Sequence, residues 1–351
     1  MEQTRMSKIK VVSLEKPGVL RVVEKPRVSL KEHEVRIKVE RVGICGSDVH
    51  IYEGAIPWVK MPLVLGHEFS GTVVEVGTNA TVDLGQRVTV IPIISCRKCA
   101  ACQKGETVHC SSLTIYGTHA DGAYAEEIVV IDHRVRILPD NMSFDQGAFM
   151  DPLTVAVHAI NRSQLKSKEN VAILGAGSIG MLALQIPIIR DSQFIMVTGR
   201  VPDKLALAKK LGAKLAVNAT TEDVVQRGLS AVPDGFDVIL DLVCSQETLE
   251  QAITLGKPGA HIVFIGAPSP PNKPALNYTE VYRKELTLAA SRGYTDEEFG
   301  QALAIMASGR IQIEPLITGR FSLGHVPEAM KFAQTRREEA IKVFIEPQRD
   351  L

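Results

Sequence analysis

The chain has 351 residues, 45% of them hydrophobic and 23% charged, with 40 basic side chains balancing 40 acidic ones. That length exceeds what one hydrophobic core usually supports, so two domains are expected. The charge balance leaves no basic footprint for nucleic acid or an anionic membrane, and no apolar run reaches the roughly 18 residues of a membrane span.

The opening stretch Met1 to Lys10 is polar and lacks the apolar core of a signal peptide, which points to the cytoplasm. Structural disulfides are rare there, so the six cysteines are expected to be thiols or metal ligands. From Lys10 to about Val90 the pattern is mostly strand. Glu34-Val35-Arg36-Ile37-Lys38-Val39 alternates polar and apolar at period two, as a half-buried strand does. Next comes Gly43-Ile44-Cys45-Gly46-Ser47-Asp48-Val49-His50, answered later by Gly66-His67-Glu68. Thiol, imidazole and carboxylate are three donors that zinc accepts. Ser47, Asp48 and His50 follow the thiol closely enough to form a proton path. Adjacent strand residues point to opposite faces, so His67 and Glu68 can share a metal only at a strand end or bend, which Gly66 permits. A single cysteine is also often a small core hydrophobe, and these residues alone leave both readings open.

Val64 to Val76 adds β-branched content, and Asp83-Leu84-Gly85 turns the chain before Arg87 to Ile91. Cys96, Cys99, Cys102 and Cys110 then supply four thiols within 15 residues. Four thiolates at about 2.3 Å close a tetrahedron around zinc and leave no position for water, which makes such a site structural. A four-iron cluster is the competing occupant, ranked behind zinc because the other donor set is zinc-like. Strands resume at Ala123 to Ile131.

At Asn170 the rhythm changes to alternating strand and helix. Val171 to Leu174, Phe194 to Thr198, Leu215 to Val217, Val238 to Leu242 and Ile262 to Ile265 are short apolar runs of the buried parallel-strand type. Helical patterns lie between them, such as Asp203 to Leu211, closed by Gly212. Gly175-Ala176-Gly177-Ser178-Ile179-Gly180 follows the first of these strands and opens a helical stretch, the context of a dinucleotide fingerprint. About 20 residues on, where an acid normally meets the adenosine ribose, stand Gly199 and Arg200. Loss of the acid with arrival of a guanidinium favours the 2′-phosphate of NADP over NAD. Pro187 is expected to kink the helix that follows the fingerprint. A Pro-rich loop spans Pro268 to Pro274, and the chain ends in the strand-like Ala340 to Ile345.

Taken together, the Cys45 to His50 stretch, Gly66-His67-Glu68, Asp83 to Val88, the four-cysteine lobe and the glycine fingerprint resemble the zinc-containing medium-chain alcohol dehydrogenases. Within that family the pattern is similar to the sorbitol (polyol) and threonine dehydrogenase branch. The resemblance implies an α/β architecture: a GroES-like, β-rich catalytic domain over residues 1–154 with a structural zinc lobe at 96–110, a doubly wound Rossmann NAD(P) domain over 155–290, and a return to the catalytic domain over 291–351. It implies a catalytic zinc on Cys45, His67 and Glu68, besides the structural zinc. The family's further glutamate before Pro-Leu is replaced by Asp151, one methylene shorter, as a ligand or water partner of the metal; an N-cap role for Asp151 is the alternative. Ser47 would take the hydroxyl proton and pass it, by way of the cofactor ribose, to His50 at the surface. Tyr52, Ile56, Trp58 and His119 are candidate pocket residues by analogy.

The expected substrate is a secondary alcohol of a polyol, sugar acid or sugar phosphate. His50-Ile51-Tyr52 leans toward the threonine branch, and L-threonine 3-dehydrogenase-like oxidation is the alternative. Leu153-Thr154-Val155-Ala156, however, lacks the Gly-Asn-Ala of that branch. A zinc-free quinone reductase would lack the three ligands. The family further implies a homodimer or homotetramer, with Thr287 to Ala290 as a candidate edge strand.

Overall fold

The computed structural model describes residues 7–266 and 273–349, so most of the Pro-rich loop at 268–274 lies outside the described residues. The chain divides into two compact units, Met1–Asp151 with Ile317–Leu351, and Pro152–Leu316.

The first unit is organised on the long strand Glu34–Ile44. It pairs antiparallel with Glu68–Val76, with Glu127–Ile131 and with the late strand Lys342–Glu346, which in turn lies parallel to Ile317–Ser322. Val35, Ile37, Val39 and Val42 are fully buried in the core, as the period-two pattern predicts. Arg36 departs from that pattern. It is 2% exposed, because its guanidinium reaches Glu75 at 2.8 Å and the Val28 carbonyl, which satisfy the charge that burial would otherwise leave costly. Register places Gly43 opposite Glu68 on one side and opposite Phe344 on the other, so the end of this strand meets both neighbours at the residues that matter below.

The second unit holds a six-stranded parallel sheet in the order Leu215–Asn218, Phe194–Gly199, Asn170–Leu174, Phe236–Asp241, Gly256–Phe264, Thr287–Ala290. This is the doubly wound order with a reversal beside the first strand, where such folds bind ligands. All five expected strands are present, and Thr287–Ala290 occupies an edge of the sheet. The helix Ser178–Ile189 runs through Pro187 and ends two residues later. Among the described residues, no helix is long and apolar enough to cross a membrane.

The unit borders differ from the expected 154/155 and 290/291. The first falls at Asp151, and the second unit continues to Leu316. Its extension is held by packing and polar contacts that composition does not reveal. The helix Asp296–Ala307 buries Phe299, Ala302 and Met306, Glu298 Oε2 lies 2.8 Å from His158 Nδ1, and Gln185 bonds to both the amide and the carbonyl of Gln312.

Candidate active site

Cys45 closes the central strand and caps the helix Gly46–Tyr52 in extended backbone, φ −90°, ψ 156°. Gly66 adopts φ +92°, a left-handed conformation open to glycine, and a Cβ there would lie 2.7 Å from the Tyr124 ring. The bend sets His67 just ahead of the strand that Glu68 opens, so the two side chains need not alternate across a sheet. The Cys45, His67 and Glu68 donor atoms all lie within 4.8 Å of one another. Gly43, opposite Glu68 in the sheet, has no side chain because a Cβ would occupy the Glu68 carboxylate's position.

The cluster carries an excess of anionic groups. Asp48 is fully buried, accepts from the Cys45 amide at 2.9 Å, and places Oδ1 3.5 Å from His67 Nδ1. Burial opposes a charge on His67, yet Asp48 and Cys45 outweigh that cost and push the imidazole well above its usual range. One cation answers: Lys342 is 3% exposed, with Nζ 2.5 Å from Glu68 Oε2 and 3.3 Å from the Ile44 carbonyl. Burial likewise opposes its charge, but Glu68 and then Cys45 hold its pKa above the normal lysine value. His67 Nδ1 is buried and makes no hydrogen bond. Converging soft and hard donors and surplus negative charge fit a divalent zinc ion.

Ser47 and His50 share the helix one turn apart, and His50 Nδ1 lies 3.7 Å from Glu53 Oε2 at the half-exposed surface. Asp151 falls in the first turn of the helix Met150–Arg162, past its first residue, so it is not an N-cap. It is not among the donors gathered within 4.8 Å, and its place is set by the start of this helix. Of the pocket candidates, Tyr52 donates its hydroxyl to the Gly18 carbonyl at 3.1 Å and Ile56 packs on the core. Trp58 is 58% exposed and stacks on His119 with ring centroids 5.0 Å apart.

Cys96, Cys99, Cys102 and Cys110 bring their sulfurs within 4.8 Å of one another. Arg97, at φ +59°, turns the chain between the first two, and the pair Ile93–Ile94 with Thr114–Ile115 closes the lobe at its base. Backbone amides point at the sulfurs: Cys96 N–H at 3.2 Å and Ser112 N–H at 3.4 Å both donate to Cys110, and Cys99 N–H donates to Cys96 at 3.4 Å. Amides of Cys102 and Ser111 lower the Cys99 thiol to about 6. None of the six cysteines is in a disulfide.

In the second unit Gly175, at φ +123°, turns the strand into the helix, and a Cβ on Gly180 would collide with the Gly175 carbonyl. Gly177 caps the helix with open space above it, and Ser178 begins it with a buried hydroxyl that has no hydrogen-bond partner. Ile179 follows in the first turn. Free helix-start amides and an unpartnered hydroxyl suit a pyrophosphate. Gly199 ends its strand against Ala176, and exposed Arg200 follows. A cavity of about 560 Å³, lined by Asp241, Cys244, Phe264, Leu288 and Arg292, opens where three strands end. Burial pushes the Cys244 thiol up to about 11, so it stays protonated.

Sequence reasoning missed Lys342, Tyr124 and the Gly43 cradle. A lysine inside Lys342-Val343-Phe344 reads as a solvent-facing strand position, and its partner lies 274 residues earlier.

Two family models match the chain, the alcohol dehydrogenase GroES-like domain over residues 31–140 and the zinc-binding dehydrogenase model over residues 178–308. Galactitol 1-phosphate 5-dehydrogenase of Escherichia coli K12 is 31% identical across 90% of this chain and 93% of its own length. A Sinorhizobium meliloti 1021 protein of the zinc-binding dehydrogenase type, solved with NADP, superposes with a TM-score of 0.92 at 31% identity, covering 97% of this chain and 100% of that one. The RspB alcohol dehydrogenase of Escherichia coli CFT073, solved with NADH, gives 0.90 at 31% identity over 97% and 99%.

Proposed function

The chain belongs to the zinc-binding alcohol dehydrogenases, and we propose that within them it oxidises a secondary alcohol of a polyol, sugar acid or sugar phosphate, delivering hydride to NADP. The observation that carries this reading is the convergence of Cys45, His67 and Glu68 within 4.8 Å beside the buried Lys342. These three residues hold the catalytic zinc, which when bound supplies Lewis acidity toward the alcohol and lowers its pKa. Ser47 accepts the hydroxyl proton, and His50, one turn further along the helix, releases it to solvent beside Glu53. Asp48 braces the metal loop and orients His67. Asp151 acts through a bridging water.

The four-thiol lobe holds a second, structural zinc, for which four converging sulfurs are the support. Gly175, Gly177, Ser178, Ile179 and Gly180 cradle the pyrophosphate, and Gly199 and Arg200 receive the adenosine end. Exposed Arg200 in place of an acid supports NADP; the NADH-bound relative makes NAD the arm to compare. The sugar-type substrate is supported by the relative named for galactitol 1-phosphate.

The deciding experiment is a steady-state screen of polyols, aldonates, polyol phosphates and L-threonine against NAD and NADP. A polyol-type substrate with NADP is expected to give the highest kcat/KM. L-threonine outrunning the rest would overturn the substrate class, and a preference for NAD would overturn the role of Arg200. Metal analysis is expected to give two zinc ions per chain; iron, or a single zinc, would contradict the two-site scheme.

A further inference from the structure

Tyr124 is a tyrosine whose hydroxyl has a definite task. The residue is fully buried, and a buried phenol needs a partner for its O–H. That partner is Asp48 Oδ2 at 3.1 Å. Asp48 is itself inaccessible, and its carboxylate collects three donors from three separate segments: the Cys45 amide at 2.9 Å, the Gly66 amide at 3.4 Å and the Tyr124 hydroxyl. Two of these donors are backbone groups fixed by the bends that carry Cys45 and His67. The third is a side chain, and it bonds the oxygen turned away from His67, leaving Oδ1 3.5 Å from His67 Nδ1.

We infer that Tyr124 is a positioning residue for the catalytic metal: its hydroxyl fixes the rotation of the Asp48 carboxylate, and Asp48 in turn orients the His67 imidazole. The inference rests on the proposed zinc site at Cys45, His67 and Glu68. Tyr124 shares Oδ2 with the Cys45 amide, while Oδ1 is held only by the long Gly66 bond at 3.4 Å, so the hydroxyl adds the side-chain restraint on a carboxylate that acts by fixing the ring it faces.

The hydroxyl is separable from the fold. Tyr124 N–H donates to the Leu65 carbonyl at 3.0 Å and Ala123 N–H to the Gly66 carbonyl at 2.8 Å, so backbone bonds set the segment's register. The ring covers Gly66 within the space a Cβ would need. Phenylalanine keeps all of this and removes only the oxygen.

The test uses the full-length, zinc-loaded protein with Y124F, D48N and the double variant. Zinc is withdrawn by a competing chromophoric chelator, with the lobe zinc as internal control, and the d–d spectrum is recorded after cobalt(II) replaces zinc. Y124F is expected to weaken one zinc of the two by about 3- to 10-fold, less than the 10- to 100-fold typical of a residue one shell closer. It should alter the cobalt spectrum, leave the lobe zinc unchanged, and have no further effect on either in the D48N background. Y124F with wild-type affinity and spectrum, or an equal effect with and without Asp48, would overturn the inference. A C45S control separates the two levels: zinc content unchanged by C45S overturns the catalytic-zinc reading itself, whereas zinc lost in C45S but not weakened in Y124F overturns only the role of Tyr124.

Discussion

The first unit contains two clusters of metal-type donors built on opposite plans. The lobe at Cys96 to Cys110 is uniform: four sulfurs from one short loop, three of the cysteines partly exposed and Cys110 buried, with backbone amides as their only supporting donors among the bonds described above. The Cys45 cluster is mixed, with thiol, imidazole and carboxylate from two strand ends, a buried aspartate behind them and a lysine from a third strand. A uniform set of four closes a coordination sphere, while three mixed donors leave a position for substrate. The lobe could form almost anywhere its loop is long enough. The mixed cluster depends on sheet register, and its charge is balanced from outside the ligand set.

The sharpest way to break this contrast is to remove one thiol from each. C45S is expected to lower kcat/KM by about 10³-fold or more, the loss of several kcal/mol of transition-state stabilisation, with the melting temperature little changed. C99S should do the reverse, lowering the melting temperature while kcat of the surviving folded fraction stays near wild type. Equal behaviour of the two in paired kinetic and calorimetric measurements would abolish the distinction.

Next in size is K342M. It leaves Glu68 buried without its cation, a change that typically costs about 3–5 kcal/mol. Zinc bound at the mixed cluster would replace part of the missing charge, so denaturant titration should show a larger penalty in zinc-free than in zinc-loaded protein. The lobe has no counterpart, so the same zinc dependence in a surface Lys104→Met control would defeat the argument. A smaller effect is expected from G43A, whose methyl displaces the Glu68 carboxylate: zinc affinity at the mixed cluster should fall by roughly 10- to 100-fold, with the lobe metal unmoved in the same chelator titration.

The subtlest test is pH. The pKa of Lys342 is raised above its unfolded value, so its contribution is complete below about 10.5 and disappears only as the pH rises through the folded value. The stability difference between zinc-free wild type and K342M should therefore be flat from neutral pH to about 10 and shrink above it. A difference that shrinks already between pH 7 and 9 would show that Lys342 is not held charged by Glu68.

The same contrast explains what could be read from the residues alone. The lobe, the parallel strands and the glycine fingerprint are encoded by neighbours in sequence, and each was legible as spacing or period. For the mixed cluster the donors Cys45, His67 and Glu68 were legible, and so was the bend that Gly66 permits, at a φ of +92°. Their supports were not. Gly43 looks like a turn glycine until register sets it against Glu68, and Tyr124 looks like an ordinary strand aromatic until its hydroxyl is seen on Asp48. The late unit border was hidden for the same reason: a histidine at position 158 carries no mark of the glutamate at 298 that binds it.

The place of Lys342 in the chain also sets an order of events during synthesis. Glu68 leaves the ribosome 274 residues before the ammonium that neutralises it, and the entire Pro152–Leu316 unit is made in between. At about 5–20 residues per second that interval is roughly 14–55 s, in which the nucleotide unit can fold while the glutamate still lacks its cation. The strand bearing Lys342 is then the last piece of the cluster to be synthesised, after the whole of the Pro152–Leu316 unit.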